Sequence, residues 1–240
     1  MFFLHSIQAT IMLVVSNSFA LPLTTLFVEF NPQTRSLGQD LQQLTTVPIA
    51  PLIAGFLALS ALAHLIVSLP GVYQWYVKNL KSGANYARWV EYTFSSSLMI
   101  VVIAMLTGMY DVFSLVLMFS LNAMMILFGW MMELHNQSTQ KTDWTAYIFG
   151  CIAGAIPWII IACYLAFAGE GEFKAPTFVY WIFFSMFLFF NSFAINMVLQ
   201  YKKVGKWKDY TYGEKVYIVM SLVTKSLLAW QVFAGTLRPV

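Results

Sequence analysis

The chain has 240 residues, of which 60% are hydrophobic and 10% charged, against roughly 25% charged in an ordinary soluble domain. So few charges cannot cover a water-facing surface. The net charge of +3, from 13 basic and 10 acidic residues, calls for no nucleic-acid partner, because the basic residues flank apolar runs and suit anionic lipid.

Those apolar runs reach the length needed to cross roughly 30 Å of hydrocarbon at about 1.5 Å per residue. Helices satisfy their own backbone groups in lipid, and the alternating segments of a membrane β-barrel are missing from the sequence. In chain order, spans are expected near residues 4–27, 48–70, 86–108, 112–132, 145–168, 177–200 and 211–236, forming a single all-α, seven-helix domain over 1–240. Only the turn around Gly108, Tyr110 and Asp111 separates the third and fourth spans; fused, they would make a helix of about 70 Å, too long for one crossing. Ser18-Phe19-Ala20 resembles a signal-peptide cleavage site, but no Lys or Arg precedes the first apolar run, so that run is expected to stay as a span.

Loop charges set the expected orientation. Lys78, Lys81, Arg88, Lys141, Lys202, Lys203, Lys206, Lys208 and Lys215 fall at one side, against Arg35, Lys174 and Arg238 at the other. The positive-inside rule puts the N-terminus in the cytoplasm and the C-terminus outside, in a multi-pass cell-membrane protein. Cys151 and Cys163 share a span about 18 Å apart, too far for a disulfide. Gly150 and Gly154 give that span a GxxxG face, which serves packing within the chain or between copies equally well.

Two residues break the apolar pattern most sharply. Lys225 lies near the middle of the last span, and Glu91 lies inside the third as the only other clear ionisable residue well within a helix. The two spans run in the same direction, so the residues can meet at comparable depth, with Ser95 one turn beyond Glu91 on the same face. A structural ion pair is the plain alternative. The chemical one is a desolvated lysine amine, a nucleophile that forms a Schiff base with a carbonyl; in a membrane interior the fitting aldehyde is a long apolar one.

The segments Arg88-Trp89-Val90-Glu91-Tyr92-Thr93-Phe94-Ser95-Ser96-Ser97 and Ser221-Leu222-Val223-Thr224-Lys225-Ser226-Leu227-Leu228-Ala229-Trp230-Gln231 resemble the third- and seventh-helix signatures of heliorhodopsins, microbial retinal-binding proteins with inverted membrane orientation. The resemblance covers the whole chain and implies a rhodopsin-like bundle with a β-hairpin in the extracellular loop of residues 28–47. It implies that Lys225 carries all-trans retinal covalently, that Glu91 is the counterion, and that Ser60, Ser95 and Ser221 are the hydroxyls around the linkage. His5, Gln8 and His64 resemble members of a polar cavity, although each histidine also reads as an ordinary packing side chain. Tyr92, Asn122, Met125, Phe190 and Trp230 resemble the chromophore pocket. Membrane lipid, a second copy in a homodimer and an unidentified cytoplasmic signalling protein are the expected partners.

The expected function is light sensing: all-trans to 13-cis isomerisation moves the nitrogen relative to Glu91 and drives a slow conformational signal. A light-driven or light-gated proton transporter is the alternative. By resemblance, a pump of the better-known microbial class needs carboxylates about 11 residues beyond the counterion and one turn before the lysine, where this chain has Val102 and Ser221. Glu133 and His135 keep a proton path open. Three scattered histidines and no HExxH pattern argue against an enzyme. A seven-helix receptor of the animal type would put its N-terminus outside, against the charge count.

Overall fold

The computed structural model describes residues 1–167 and 174–239. Its elements are α1 (Phe2–Val15), β1 (Ala20–Asn31), β2 (Ser36–Pro48), α2 (Ile49–Ile66), α3 (Val72–Lys81), α4 (Tyr86–Leu106), α5 (Val112–Asn136), α6 (Thr145–Phe167), α7 (Thr177–Tyr201) and α8 (Tyr210–Val232). Among the described residues, α2 and α4 to α8 are six helices long and apolar enough to cross a membrane. The chain is thus a multi-pass membrane protein whose body is a helical bundle. Its outer faces expose Phe94, Val116, Ile152 and Leu188, as lipid contact requires. The centre packs Phe56, Ile100, Ile103, Ile161, Met186 and Leu228, all fully buried.

The first expected span, 4–27, needs correction. α1 ends at Val15 after 14 residues, about 21 Å, and the chain from Ala20 onward is strand. Ser16-Asn17-Ser18 interrupts the apolar run, and Asn17 turns its hydrogen bonds to the other end of the molecule. Its Nδ2 donates to the carbonyls of Thr236 (2.8 Å) and Arg238 (3.1 Å), and its backbone N–H donates to that of Leu237 at 2.8 Å. The Phe19 N–H donates to Asn17 Oδ1 at 2.9 Å. Beyond it, Thr24, Thr25 and Val28 favour extended backbone. Residue 168, the expected end of the 145–168 span, lies outside the described residues. The stretch between α2 and α4, expected only as a connection, carries the ten-residue helix α3.

β1 and β2 pair antiparallel from Ala20↔Pro48 to Asn31↔Ser36. The turn is held by Asn31 Oδ1, which accepts from the N–H groups of Gln33 and Thr34. The hairpin is tied to the bundle where the Thr24 N–H donates to the Tyr110 carbonyl at 2.9 Å. Tyr110 lies in the α4–α5 turn, which depends on Gly108 at φ +102°, a conformation that disfavours any side chain. Asp111 then caps α5 by accepting from the Ser114 hydroxyl (2.6 Å) and N–H (2.7 Å); those two bonds hold its carboxyl below the usual range.

Asn17→Ala removes three hydrogen bonds that join the end of α1 to the last turn of the chain and to Phe19. At a net contribution of about 1 kcal/mol each, the variant is expected to lose about 1–3 kcal/mol of stability, seen as a lower thermal midpoint by circular dichroism in detergent. An unchanged midpoint would contradict the clamp.

Candidate functional site

Lys225 sits in the middle of α8 because the helix is apolar on both sides of it, and the packing of α2 and α4 against α8 supplies its partners. Its Nζ donates to Glu91 Oε1 at 2.7 Å and to Ser221 Oγ at 2.8 Å, one helical turn away. Ser60 Oγ on α2 donates to the same Glu91 oxygen at 2.6 Å. Both charged side chains are nearly out of reach of solvent, at 4% and 8% exposure. The ring of Tyr92 lies 5.1 Å from Nζ, within range of a cation–π attraction. Ser95 is fully buried one turn beyond Glu91 and makes no hydrogen bond within the described residues.

Beside the amine lies a cavity of about 310 Å³, walled by Met125, Trp158, Phe187, Phe190, Phe193 and Met197, with Tyr92, Ser221 and Lys225 along it. Its size falls at the lower end of small-molecule pockets. Gly129 completes one wall: a Cβ there would lie 2.6 Å from the Trp89 ring, so only glycine lets the indole close on α5. Trp158 makes edge contacts with Phe187 and Phe190 at 5.5 and 5.3 Å, packing that aromatic rings favour.

The other expected residues fall into three groups. His5 on α1 stacks on His64 of α2 at 5.9 Å between ring centroids; Gln8 is half-buried one turn from His5, its Oε1 unpaired among the described residues. Asn122 is buried and stands behind the cavity wall, its Nδ2 donating to Ser96 and Ser97 Oγ at 2.8 and 3.1 Å; Ser96 itself lines the cavity. Trp230 is placed differently from the expectation: it is 41% exposed, contacts Phe233 edge-on, and does not line the cavity. Five residues beyond Lys225 on α8, it points about 140° around the helix from the lysine.

A second buried polar cluster was missed by sequence reasoning, which took Glu91 as the lone carboxylate within a helix. Arg88, one turn before Glu91, donates to Glu133 Oε2 of α5 at 3.0 Å and to Glu214 Oε2 of α8 at 2.9 Å. Its guanidinium lies 3.9 Å from the Trp89 ring centroid and 4.2 Å from that of Tyr217. Trp89 Nε1, the Asn85 N–H and the Tyr210 hydroxyl also donate to Glu133, while Asn85 Nδ2 and Gln200 Nε2 donate to Glu214. Arg88 also lines the cavity, so the cavity has a charged group at each of two depths. The available signal was the presence of one basic and two acidic residues at helix ends that connect on the same side.

A buried amine held by one carboxylate, opening on an apolar cavity, can form a covalent bond to an apolar aldehyde. Among the described residues no group of His, Cys, Asp and Glu is placed to hold a metal ion. The crystal structure of a light-driven proton pump from Leptosphaeria maculans has the same fold, with a TM-score of 0.66 at 13% identity over 98% of this chain and 91% of that one. None of the curated proteins compared with the chain matches it. The family model for heliorhodopsin matches residues 1–237. With that match over nearly its whole length, the chain belongs to the heliorhodopsin family.

Proposed function

We propose that the protein senses light through retinal carried on Lys225, with Glu91 as counterion, and converts it into a slow conformational signal without net ion transport. Heliorhodopsins are non-catalytic photoreceptors, so the chain is not an enzyme, and membership of the family implies a retinal cofactor. The observation that carries the site assignment is the amine of Lys225, buried at the edge of an apolar cavity and bonded to a single carboxylate. That setting fits retinal: aromatic and methionine side chains meet an apolar polyene, and the one reactive amine stands at the cavity wall. When bound through a Schiff-base linkage, retinal supplies visible absorption and a double bond that isomerises.

The chain's own residues do the rest. Glu91 Oε1 accepts from Lys225 Nζ and holds positive charge on that nitrogen; Ser60 fixes the carboxylate from α2. Glu91 Oε1, bonded to Lys225 Nζ at 2.7 Å, is the carboxylate in place to take its proton, and reorienting the N–H at Lys225 breaks that bond. His5 and His64 extend the polar region on the α1–α2 side, where imidazole can hold a proton transiently. Tyr92 links α4 to α8 through its hydroxyl, which donates to the Tyr217 carbonyl at 3.0 Å. A shift of α8 at Lys225 therefore strains contacts with α4 at Tyr92 and at Arg88.

Sensing rather than pumping is supported by the surroundings of the amine. Val102 and Ser221 stand where pump relays need carboxylates, and Ser221 is already bonded to Nζ. Glu133 and Glu214 are committed to Arg88 and several neutral donors. We place the N-terminus in the cytoplasm, with α1 as a seventh crossing. Residues 1–240 then form one domain, which works as a homodimer and with a cytoplasmic signalling partner. The hairpin suits a second copy, since Leu26, Val28, Phe30, Leu37 and Leu41 share one of its faces and are all more than half exposed.

Lys225→Ala is expected to abolish the visible pigment formed with retinal; an intact, retinal-linked pigment in that variant would sink the assignment. Glu91→Gln should leave a blue-shifted pigment near neutral pH unless an external anion replaces the carboxylate, and a pH titration matching the parent in colour and midpoint would refute the counterion role. Illuminated cells expressing the protein should give no steady photocurrent at any voltage, and suspensions no sustained, protonophore-sensitive pH change. Either signal, traced to this protein, would make transport the better reading.

A further inference from the structure

α3 (Val72–Lys81) has a place in the fold but no core of its own. None of its ten residues is buried, and an isolated helix of that length is marginal in water. One side, with Val72, Tyr76, Asn79 and Leu80, is half-buried toward the bundle, and Trp75 reaches Tyr86 at the start of α4 with ring centroids 5.9 Å apart. The opposite side is open. Gln74, Lys78 and Lys81 follow at spacings of four and three, so they share a face, and with Tyr73 and Val77 they line a shallow surface cleft. Tyr73 and Trp75 are 57% and 47% exposed.

The position of α3 says what meets that face. It joins the end of α2 to the start of α4, at the end of the bundle where Arg88, Glu133 and Glu214 bring α4, α5 and α8 together. Here the apolar helix α2 ends and α4 and α8 begin. A half-exposed Tyr and Trp beside two lysines is a side-chain set that fits the interface: the rings lie at headgroup depth and the lysine stems reach up to phosphate. The α7–α8 connection at the same end of the bundle adds Lys202, Lys203, Lys206 and Lys208, so this end favours an anion. We propose that α3 lies along the membrane surface and that Lys78 and Lys81 bind the headgroup of an anionic phospholipid in the cleft beside Tyr73. The lipid supplies the second surface that the helix lacks. The two lysines also suit the negative end of the helix dipole, but the dipole does not account for the exposed rings.

The test uses the purified full chain, stripped of lipid and titrated with phosphatidylglycerol or phosphatidylcholine, with lipid adducts followed by native mass spectrometry. A lysine near an anionic surface contributes about fivefold in affinity. K78Q/K81Q is thus expected to hold phosphatidylglycerol at least about tenfold more weakly than the parent, with phosphatidylcholine binding and the circular-dichroism melt unchanged. The charge-matched variant K206Q/K208Q should show a clearly smaller loss. As an independent readout, brominated phosphatidylglycerol should quench the tryptophan emission of the parent more than that of W75F. The proposal is overturned if K78Q/K81Q retains phosphatidylglycerol like the parent, if K206Q/K208Q loses as much, or if W75F is quenched like the parent. It is also overturned if the two lysines govern binding of a soluble acidic peptide and leave lipid retention unchanged.

Discussion

A lysine ammonium in the middle of a membrane helix is tolerated only with a partner, and much of the arrangement around α8 follows from meeting that demand. Charge in a low-dielectric interior costs several kcal/mol unless an opposite charge and hydrogen bonds compensate it. Glu91 supplies the charge, and Ser60 and Ser221 supply the hydrogen bonds. Glu91 on α4 and Ser221 on α8 bond the nitrogen directly, and Ser60 on α2 bonds Glu91, so compensating one ammonium joins three helices. Breaking such a pair by removing one partner costs about 3–5 kcal/mol, which makes the pair a point where a local chemical change is felt by the whole bundle.

The Arg88 cluster repeats the logic one turn away on α4. Two carboxylates share one guanidinium, and the excess negative charge is spread over indole, amide and phenol donors. Because α4 carries both Arg88 and Glu91 while α8 carries both Glu214 and Lys225, the same two helices are joined at two depths, with the Tyr92–Tyr217 bond between. These joints make a contiguous set of contacts from the lysine to the helix ends that connect α4, α5 and α8. That path links the cavity to the bundle end where α3 and the lysine-rich connection lie.

Two elements stand largely outside the bundle. The hairpin is anchored at its base, through Thr24 and Tyr110, and is exposed along much of its length. α3 is anchored by half-buried side chains and one aromatic contact. A two-stranded sheet and a ten-residue helix are both marginal alone, so each depends on a surface next to it.

Residue composition and order by themselves determined that this is a helical membrane protein: runs of apolar side chains too long for any other use set five of the span positions to within a few residues, and the last to within its final turn. They also singled out Lys225 and Glu91, because a charge inside an apolar run is visible without knowing any neighbour. The early end of α1 was hidden, since Leu21, Leu23, Leu26 and Phe27 read as span until Asn17 is seen bonding the last turn of the chain. Likewise Arg88, Glu133 and Glu214 look like ordinary charges at helix ends. Their burial depends on four helices converging there, and α3 was hidden in the same way because ten amphipathic residues read as a polar link. Periodicity and local composition report what each segment is made of; which ends are covered, which rings face the cavity and which, like Trp230, face outward are set by contacts between segments far apart in the chain.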